Sequence, residues 1–168
     1  MTYIDKSELF QEISTKLTNK GFKIESEDQN RPWGGFFVIN EDQAQEFADA
    51  YFEGLNVQDL KISGKLSPKV LIVGPNKRLS WQYHHRRAEI WRVIRGEVGV
   101  VTSPTDEEHE LKILKEGDSI RLSQGERHRL VGLGSYGVVA EIWQHTDSAN
   151  PSDEDDIVRV QDDFGRGV

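Results

Sequence analysis

The residues able to do chemistry crowd into one stretch, Gly74 to Gly132. Within it stands Gln82-Tyr83-His84-His85-Arg86-Arg87-Ala88-Glu89, which holds an amide, two imidazoles, two guanidiniums and a carboxylate. Residues 82 and 84 lie two apart, so on a strand both face the same side. Glu89 follows His84 by five residues, and Gly96 follows Glu89 by seven. Farther on come Gly117 and Gln124-Gly125-Glu126-Arg127-His128. Imidazole nitrogens with carboxylate and amide oxygens are the mixed donors that suit zinc, cobalt, nickel, manganese or iron. Guanidiniums are bidentate cations for phosphate. Taken alone, two histidines also read as satisfied polar groups, and Gln82 and Glu89 as ordinary strand residues.

Short β-branched or aromatic runs must position these groups. They fall at Val70–Val73, Ile90–Ile94, Val98–Thr102, Leu111–Leu114, Ser119–Leu122, His128–Val131 and Val138–Trp143, separated by Gly, Asp and Asn clusters. Evenly spaced short strands with turns between them predict a mainly β, antiparallel sandwich or small barrel. No segment between them is long enough for crossover helices, which disfavours a parallel sheet. The front third reads as helical. Ser7 is the expected cap of a helix with Leu9, Ile13 and Leu17 on one stripe and Gly21 as its stop. A second helix is expected from Glu41 to about Glu53, capped by Asn40, with Ala44, Phe47, Ala48, Tyr51 and Phe52 on its buried face. Between them, Asn30 to Gly35 is a turn leading into a strand at Phe36–Ile39. The chain therefore divides into residues 1–64, a helical extension packed on the barrel, and 65–168, the barrel with a C-terminal tail. Ser152 to Asp156 reads as an acidic surface segment.

The 168 residues carry 29 acidic and 21 basic side chains, for a net charge of −8. That argues against a nucleic-acid partner, which needs a basic face. It leaves room for a small anion, since local arginines outweigh the global sign. With no cysteine, disulfides, zinc–cysteine sites and thiol nucleophiles are excluded. The start, MTYIDKSELF, lacks a basic segment followed by an apolar one, and no apolar run is long enough to span a bilayer. A soluble cytoplasmic protein without a membrane partner is expected.

The spacing resembles the two cupin motifs, ligand-x-His-x4-Glu-x6-Gly and Gly-x7-Gly-x2-His. By that resemblance Gln82, His84, Glu89 and His128 bind one divalent metal inside a double-stranded β-helix, zinc foremost. Cupins typically have histidine where Gln82 stands; a neutral amide is a weaker donor and leaves the metal more Lewis-acidic and less tightly held. Leu79 to Trp91 is in turn similar to the signature of type II phosphomannose isomerases, a domain that often follows a guanylyltransferase. Arg31-Pro32-Trp33-Gly34, Gly125 to Leu130, Asp155 to Arg159 and Gly165-Arg166 agree with that family. The resemblance covers residues 31–40 and 65–166. It departs at Arg86 and Ile90, where the family usually has histidines, and near Gly132, where it has an asparagine. No Gly-rich phosphate loop stands at the front, so a stand-alone isomerase domain without guanylyl transfer is expected.

The activity this resemblance implies is interconversion of mannose 6-phosphate and fructose 6-phosphate, supplying nucleotide-sugar or polysaccharide synthesis. A base must carry a proton between C2 and C1. Glu141 is the first choice, with a raised pKa if it faces inward, and His85 the second. Arg87 fills the family's arginine slot beside the metal motif and Arg166 the terminal one, so both are expected at the substrate, Arg87 as a catalytic residue with Glu141 as well, with Arg78 next and Arg86 and Arg129 behind. Alternation turns Arg129 away from the metal. Lys77, Arg92, Arg121 and His109 read as surface, His145 as a strand end, and Trp91 and Trp143 as core; Trp33 and Trp81 fit either core or pocket. The Phe47–Tyr51–Phe52 stripe covers the barrel or pairs two copies, and a homodimer is expected. A non-catalytic sugar-binding or sensing cupin, and an isomerase of another phosphosugar, are the alternatives.

Overall fold

The computed structural model describes residues 5–59, 65–147 and 149–166, so the expected boundary at residue 64 lies outside the described residues. Helix α1 spans Lys6–Asn19. Its cap is Asp5, whose carboxylate accepts from Glu8 N at 2.8 Å, and not Ser7, which lies inside the first turn. A carboxylate both satisfies that free N–H and complements the positive end of the helix dipole. Leu9, Phe10, Ile13 and Leu17 are buried, and Gly21, at φ +89°, ends the helix as expected.

Helix α2 is shorter than its periodicity predicts. Glu41–Gln43 form a 3-10 turn capped by Asn40, and only Ala44–Tyr51 are α-helical. In this first turn the Glu41 carboxylate accepts from Leu66 N and Ser67 N, both at 2.9 Å, and so is tied to the chain ahead of the next strand.

Between the helices the chain forms β1, Ile24–Arg31, and β2, Gly34–Ile39. The remaining strands are β3 Lys69–Val73, β4 Trp81–Tyr83, β5 Arg87–Arg95, β6 Glu97–Ser103, β7 Lys112–Lys115, β8 Ser119–Leu122, β9 Arg127–Gly132, β10 Gly137–His145 and β11 Val158–Gln161. Among the described residues they form two antiparallel sheets, ordered β1-β2-β3-β10-β5-β8 and β11-β4-β9-β6-β7. The front of the chain is thus not helical throughout, because the β1–β2 hairpin joins the larger sheet through β3.

Alternation along three central strands separates two cores. Val70, Ile72, Val138, Ala140 and Ile142 face outward and are covered by Leu9, Phe10, Phe47 and Tyr51 of the helices. Leu71, Trp91, Val93 and Val139 face inward and pack against Val98, Val100 and Leu130 of the smaller sheet. The aromatic stripe of α2 is therefore buried within the chain. No helix among the described residues is long and apolar enough to cross a membrane.

Candidate metal centre and pocket

Three donors converge inside the sandwich. His84, Glu89 and His128 are all buried, and their ligand atoms lie within 4.8 Å of one another. Glu89 stands on β5; His128 stands on β9 directly opposite Gln82 of β4, so those two share the inner face. His84 follows immediately after β4.

The hydrogen bonds fix which nitrogen of each ring is free. His84 Nδ1 meets Asp156 O at 2.6 Å, and His128 Nδ1 meets Glu126 O at 3.1 Å. A carbonyl only accepts, so both rings donate from Nδ1 and turn Nε2 inward. Those inner nitrogens face the carboxylate: His84 Nε2 lies 3.5 Å from Glu89 Oε2, and His128 Nε2 lies 3.2 Å from Glu89 Oε1. Burial holds His84 below the ordinary histidine range. Burial also pushes Glu89 up, but His84, Arg87 and His128 together outweigh it and leave the carboxyl well below the usual range. Two inner imidazole nitrogens and a carboxylate converging at these distances form a donor set that could hold a cation. Around an ion with bonds of about 2.0–2.1 Å, neighbouring tetrahedral donors stand about 3.3 Å apart, close to the separations found. The residues fit a divalent metal. Gln82 is beside them, with its amide nitrogen 3.4 Å from Ser80 O and its oxygen left as the donor to the pocket.

Supporting contacts hold the donors in place. The Asp156 carboxylate accepts from His85 N at 2.9 Å, Arg86 N at 3.0 Å and Ser152 Oγ at 2.6 Å. Burial raises the Asp156 pKa, and these bonds outweigh it and hold the carboxyl below its ordinary value. Ser152–Asp156, expected as mere surface, is thus the strap that orients His84. Arg87 is buried and donates from Nε to Glu89 Oε2 at 2.9 Å and from Nη1 to Ser152 Oγ and Asp153 O. It lines the pocket but is bound to the metal donors.

A pocket of about 440 Å³ opens beside two of the three donors, lined among others by Gln82, Glu89, Trp91, His128 and Glu141, while His84 stands behind its wall. Glu141 faces inward and accepts from Trp91 Nε1 at 2.7 Å and Trp143 Nε1 at 3.2 Å. Burial, reinforced by the Glu89 charge, pushes its pKa up to about 7. Trp91 and Trp143, expected as core, are also hydrogen-bond donors to this carboxyl. Lys69 of β3 stands directly opposite Glu141 and also lines the pocket, a cation the sequence reading passed over.

The other arginines separate clearly. Arg166 lines the pocket, as do Arg31 and Arg159, which were not expected there. Arg78 does not; it makes a two-pronged pair with Asp163 at 2.6 and 2.8 Å. Arg129 turns away, with Nε donating to Leu79 O. His85 and His145 lie outside the pocket wall, and His109 is exposed. Trp33 lines the pocket, whereas Trp81 is fully buried and donates to Asp106 O. Two of the departures from the expected signature lie away from the wall: Ile90 packs toward the helices, and Gly132 abuts Gly74 O too closely for any side chain.

Comparison with known proteins agrees with this geometry. The family model described as mannose-6-phosphate isomerase C-terminal matches residues 40–162. A mannose-1-phosphate guanylyltransferase of Salmonella montevideo is 29% identical over 151 residues, which is 90% of this chain and 26% of that protein. The xanthan biosynthesis protein XanB of Xanthomonas campestris pv. campestris is 32% identical over 136 residues, 81% of this chain and 23% of its own length. The alginate biosynthesis protein AlgA of Pseudomonas aeruginosa is 30% identical over 124 residues, 74% of this chain and 24% of that one. The chain thus spans about a quarter of the length of these relatives. The capsular polysaccharide assembling protein CapF from Staphylococcus aureus superposes with a TM-score of 0.52 at 14% identity, over 83% of this chain and 34% of that one. At that identity the likeness shows the fold alone, which is the double-stranded β-helix of the cupins.

Proposed function

Because the chain belongs to the family of mannose-6-phosphate isomerase C-terminal domains, we propose that it is a metal-dependent aldose–ketose isomerase acting on mannose 6-phosphate and fructose 6-phosphate. Gln82, His84, Glu89 and His128 would hold one divalent ion, zinc foremost. Such an ion supplies Lewis acidity toward the carbonyl and hydroxyl oxygens of an open-chain sugar. In this reading Glu141 takes a proton from one of the two reacting carbons and returns it to the other. The observation that carries the reading is the position of the Glu141 carboxyl, buried in the pocket that Glu89 and His128 also line and held there by two indole N–H donors, where a carboxyl can exchange a proton with a bound sugar. The paired indole donors fix its orientation, and the apolar walls of Trp33, Leu71 and Trp91 limit competing water.

Proton transfer by a protein carboxyl leaves an isotopic record. Mannose 6-phosphate converted in deuterated water by the metal-loaded chain is expected to carry deuterium at C1 of fructose 6-phosphate. Glu141→Gln is expected to stop both conversion and incorporation while leaving metal content at one ion per chain. Undiminished turnover in that variant would remove Glu141 from the chemistry.

A further inference from the structure

The pocket has a second end, and its charges are unbalanced. The mouth opens between one edge strand of each sheet, β1 of the larger and β11 of the smaller, since Ser26 and Arg31 line it from one side and Arg159 from the other. Arg166, from the segment after β11, lines it too. Arg159 stands directly opposite Gln82 across the β4–β11 ladder, so its side chain shares the inner face with the metal donors.

Four of the cations in this wall already have an anion. Lys69 pairs with Glu154 at 2.7 Å, Arg87 with Glu89 at 2.9 Å, Arg31 with Asp28 at 3.1 Å and Arg166 with Asp162 at 2.8 Å. Among the described residues Arg159 pairs with no carboxylate, and its buried Nε has no hydrogen-bond partner. Arg86, Arg92 and Arg95 also bury a nitrogen without a partner, but each meets an acceptor elsewhere: Asp153, Tyr51 O and Glu12. Burial, with Arg166 and Arg31 as like charges, holds the Arg159 pKa below the ordinary arginine value, although the Asp162 carboxylate offsets part of this from a distance. Three guanidiniums share one pocket mouth with only two carboxylates. The Arg31–Asp28 pair is partly exposed, and exposed pairs exchange partners at little cost.

We propose that Arg31, Arg159 and Arg166 form an oxyanion cradle at the pocket mouth that takes the phosphate end of the sugar phosphate. The identity of the sugar rests on the isomerase reading above; the cradle does not. A phosphate dianion supplies the charge this cluster lacks, and its oxygens suit planar guanidinium forks. A carboxylate ligand would neutralise one guanidinium and leave the like-charge contact in place. The arrangement separates the ends of the ligand: phosphate at the mouth, reacting carbons inward at Glu141 and the metal donors. It also displaces two sequence expectations, since Arg87 and Arg78 are committed to Glu89 and Asp163.

The test is calorimetric titration of the full chain with inorganic phosphate, acetate and fructose 6-phosphate, with kinetic constants measured alongside. Arg159→Met is expected to weaken phosphate and fructose 6-phosphate binding by about ten- to a hundredfold, to raise KM for the sugar phosphate, and to leave metal content unchanged. Arg31→Met, on an exposed strand edge, should weaken binding in the same direction without threatening the fold. Arg121→Met, on exposed β8, should change nothing. Phosphate binding that depends on Arg159, in a chain that does not turn over mannose 6-phosphate, upholds the cradle and ends the isomerase reading. Turnover with the same KM in wild type, Arg159→Met and Arg31→Met upholds the isomerase and overturns the cradle. Acetate bound as tightly as phosphate also overturns it.

Discussion

Arg87 donates to Glu89 across 2.9 Å from a position two residues earlier on the same strand, and both side chains are buried. The arginine that the sequence assigns to substrate is therefore the counter-charge of a metal donor. Removing it leaves a buried carboxylate without its guanidinium partner, which costs about 3–5 kcal/mol. Arg87→Met should destabilise the metal-free chain by about that much in urea melts, and added zinc should restore more stability to the variant than to wild type. Equal metal-induced stabilisation in both would mean that the arginine is not offsetting the Glu89 charge.

The Glu141 carboxyl gives stability a pH dependence of known sign. Its folded pKa is raised from the ordinary 4.5 to about 7, so the folded chain holds this proton more tightly than the unfolded one. The contribution is fully present below about pH 4.5 and is lost as pH rises through about 7, amounting to about 3 kcal/mol. Urea melts of metal-free wild type and Glu141→Gln between pH 5 and 8 should diverge by that amount, whatever the baseline stability of the variant. Parallel curves would place the carboxyl in an ordinary environment.

Asp156 positions His84, and through it would tune the affinity for a metal ion. Its carboxylate holds His85 N and Arg86 N, and its carbonyl holds His84 Nδ1. Asp156→Asn keeps the size of the side chain but weakens those bonds. Metal affinity, measured by competition with a chromogenic chelator, should fall about ten- to a hundredfold. Unchanged affinity would show that the strap around Ser152–Asp156 does not position His84.

The cap of α1 offers a test outside the site. Asp5→Ala should cost about 1 kcal/mol, whereas Ser7→Ala, inside the first turn, should be near neutral. The reverse order of effects would restore Ser7 as the cap.

Much of this was legible in the chain, for identifiable reasons. Most strands found from sequence carry apolar or β-branched runs, buried on both faces at Val70–Val73 and Val138–Trp143 and mostly exposed in β7 and β8. Strand β1, IESEDQNR, escaped because it lies at a sheet edge with mostly polar side chains and no alternation to read. Strand β11, VRVQ, is half-buried along its length and escaped in the same way, taking Arg159 with it. The metal donors stood out through their spacing. The inward carboxyl of Glu141 and its raised pKa were legible too; its two indole donors were not, although period-two alternation was available: residues 89 and 91 share one face, as do 141 and 143. The partners of Arg78 and Arg87 come from 85 and 65 residues away, Asp163 and Ser152, and no local pattern reveals them.

The central claim is metal-dependent isomerisation, and a coupled assay tests it directly. The chain is stripped with a chelator, divided, and restored with zinc, cobalt, nickel, manganese or iron; mannose 6-phosphate is offered and fructose 6-phosphate read out. Turnover is predicted only after restoration, and none from His84→Ala, which should stay folded but bind no metal. No fructose 6-phosphate with any of these ions, despite one ion bound per chain, would contradict the account.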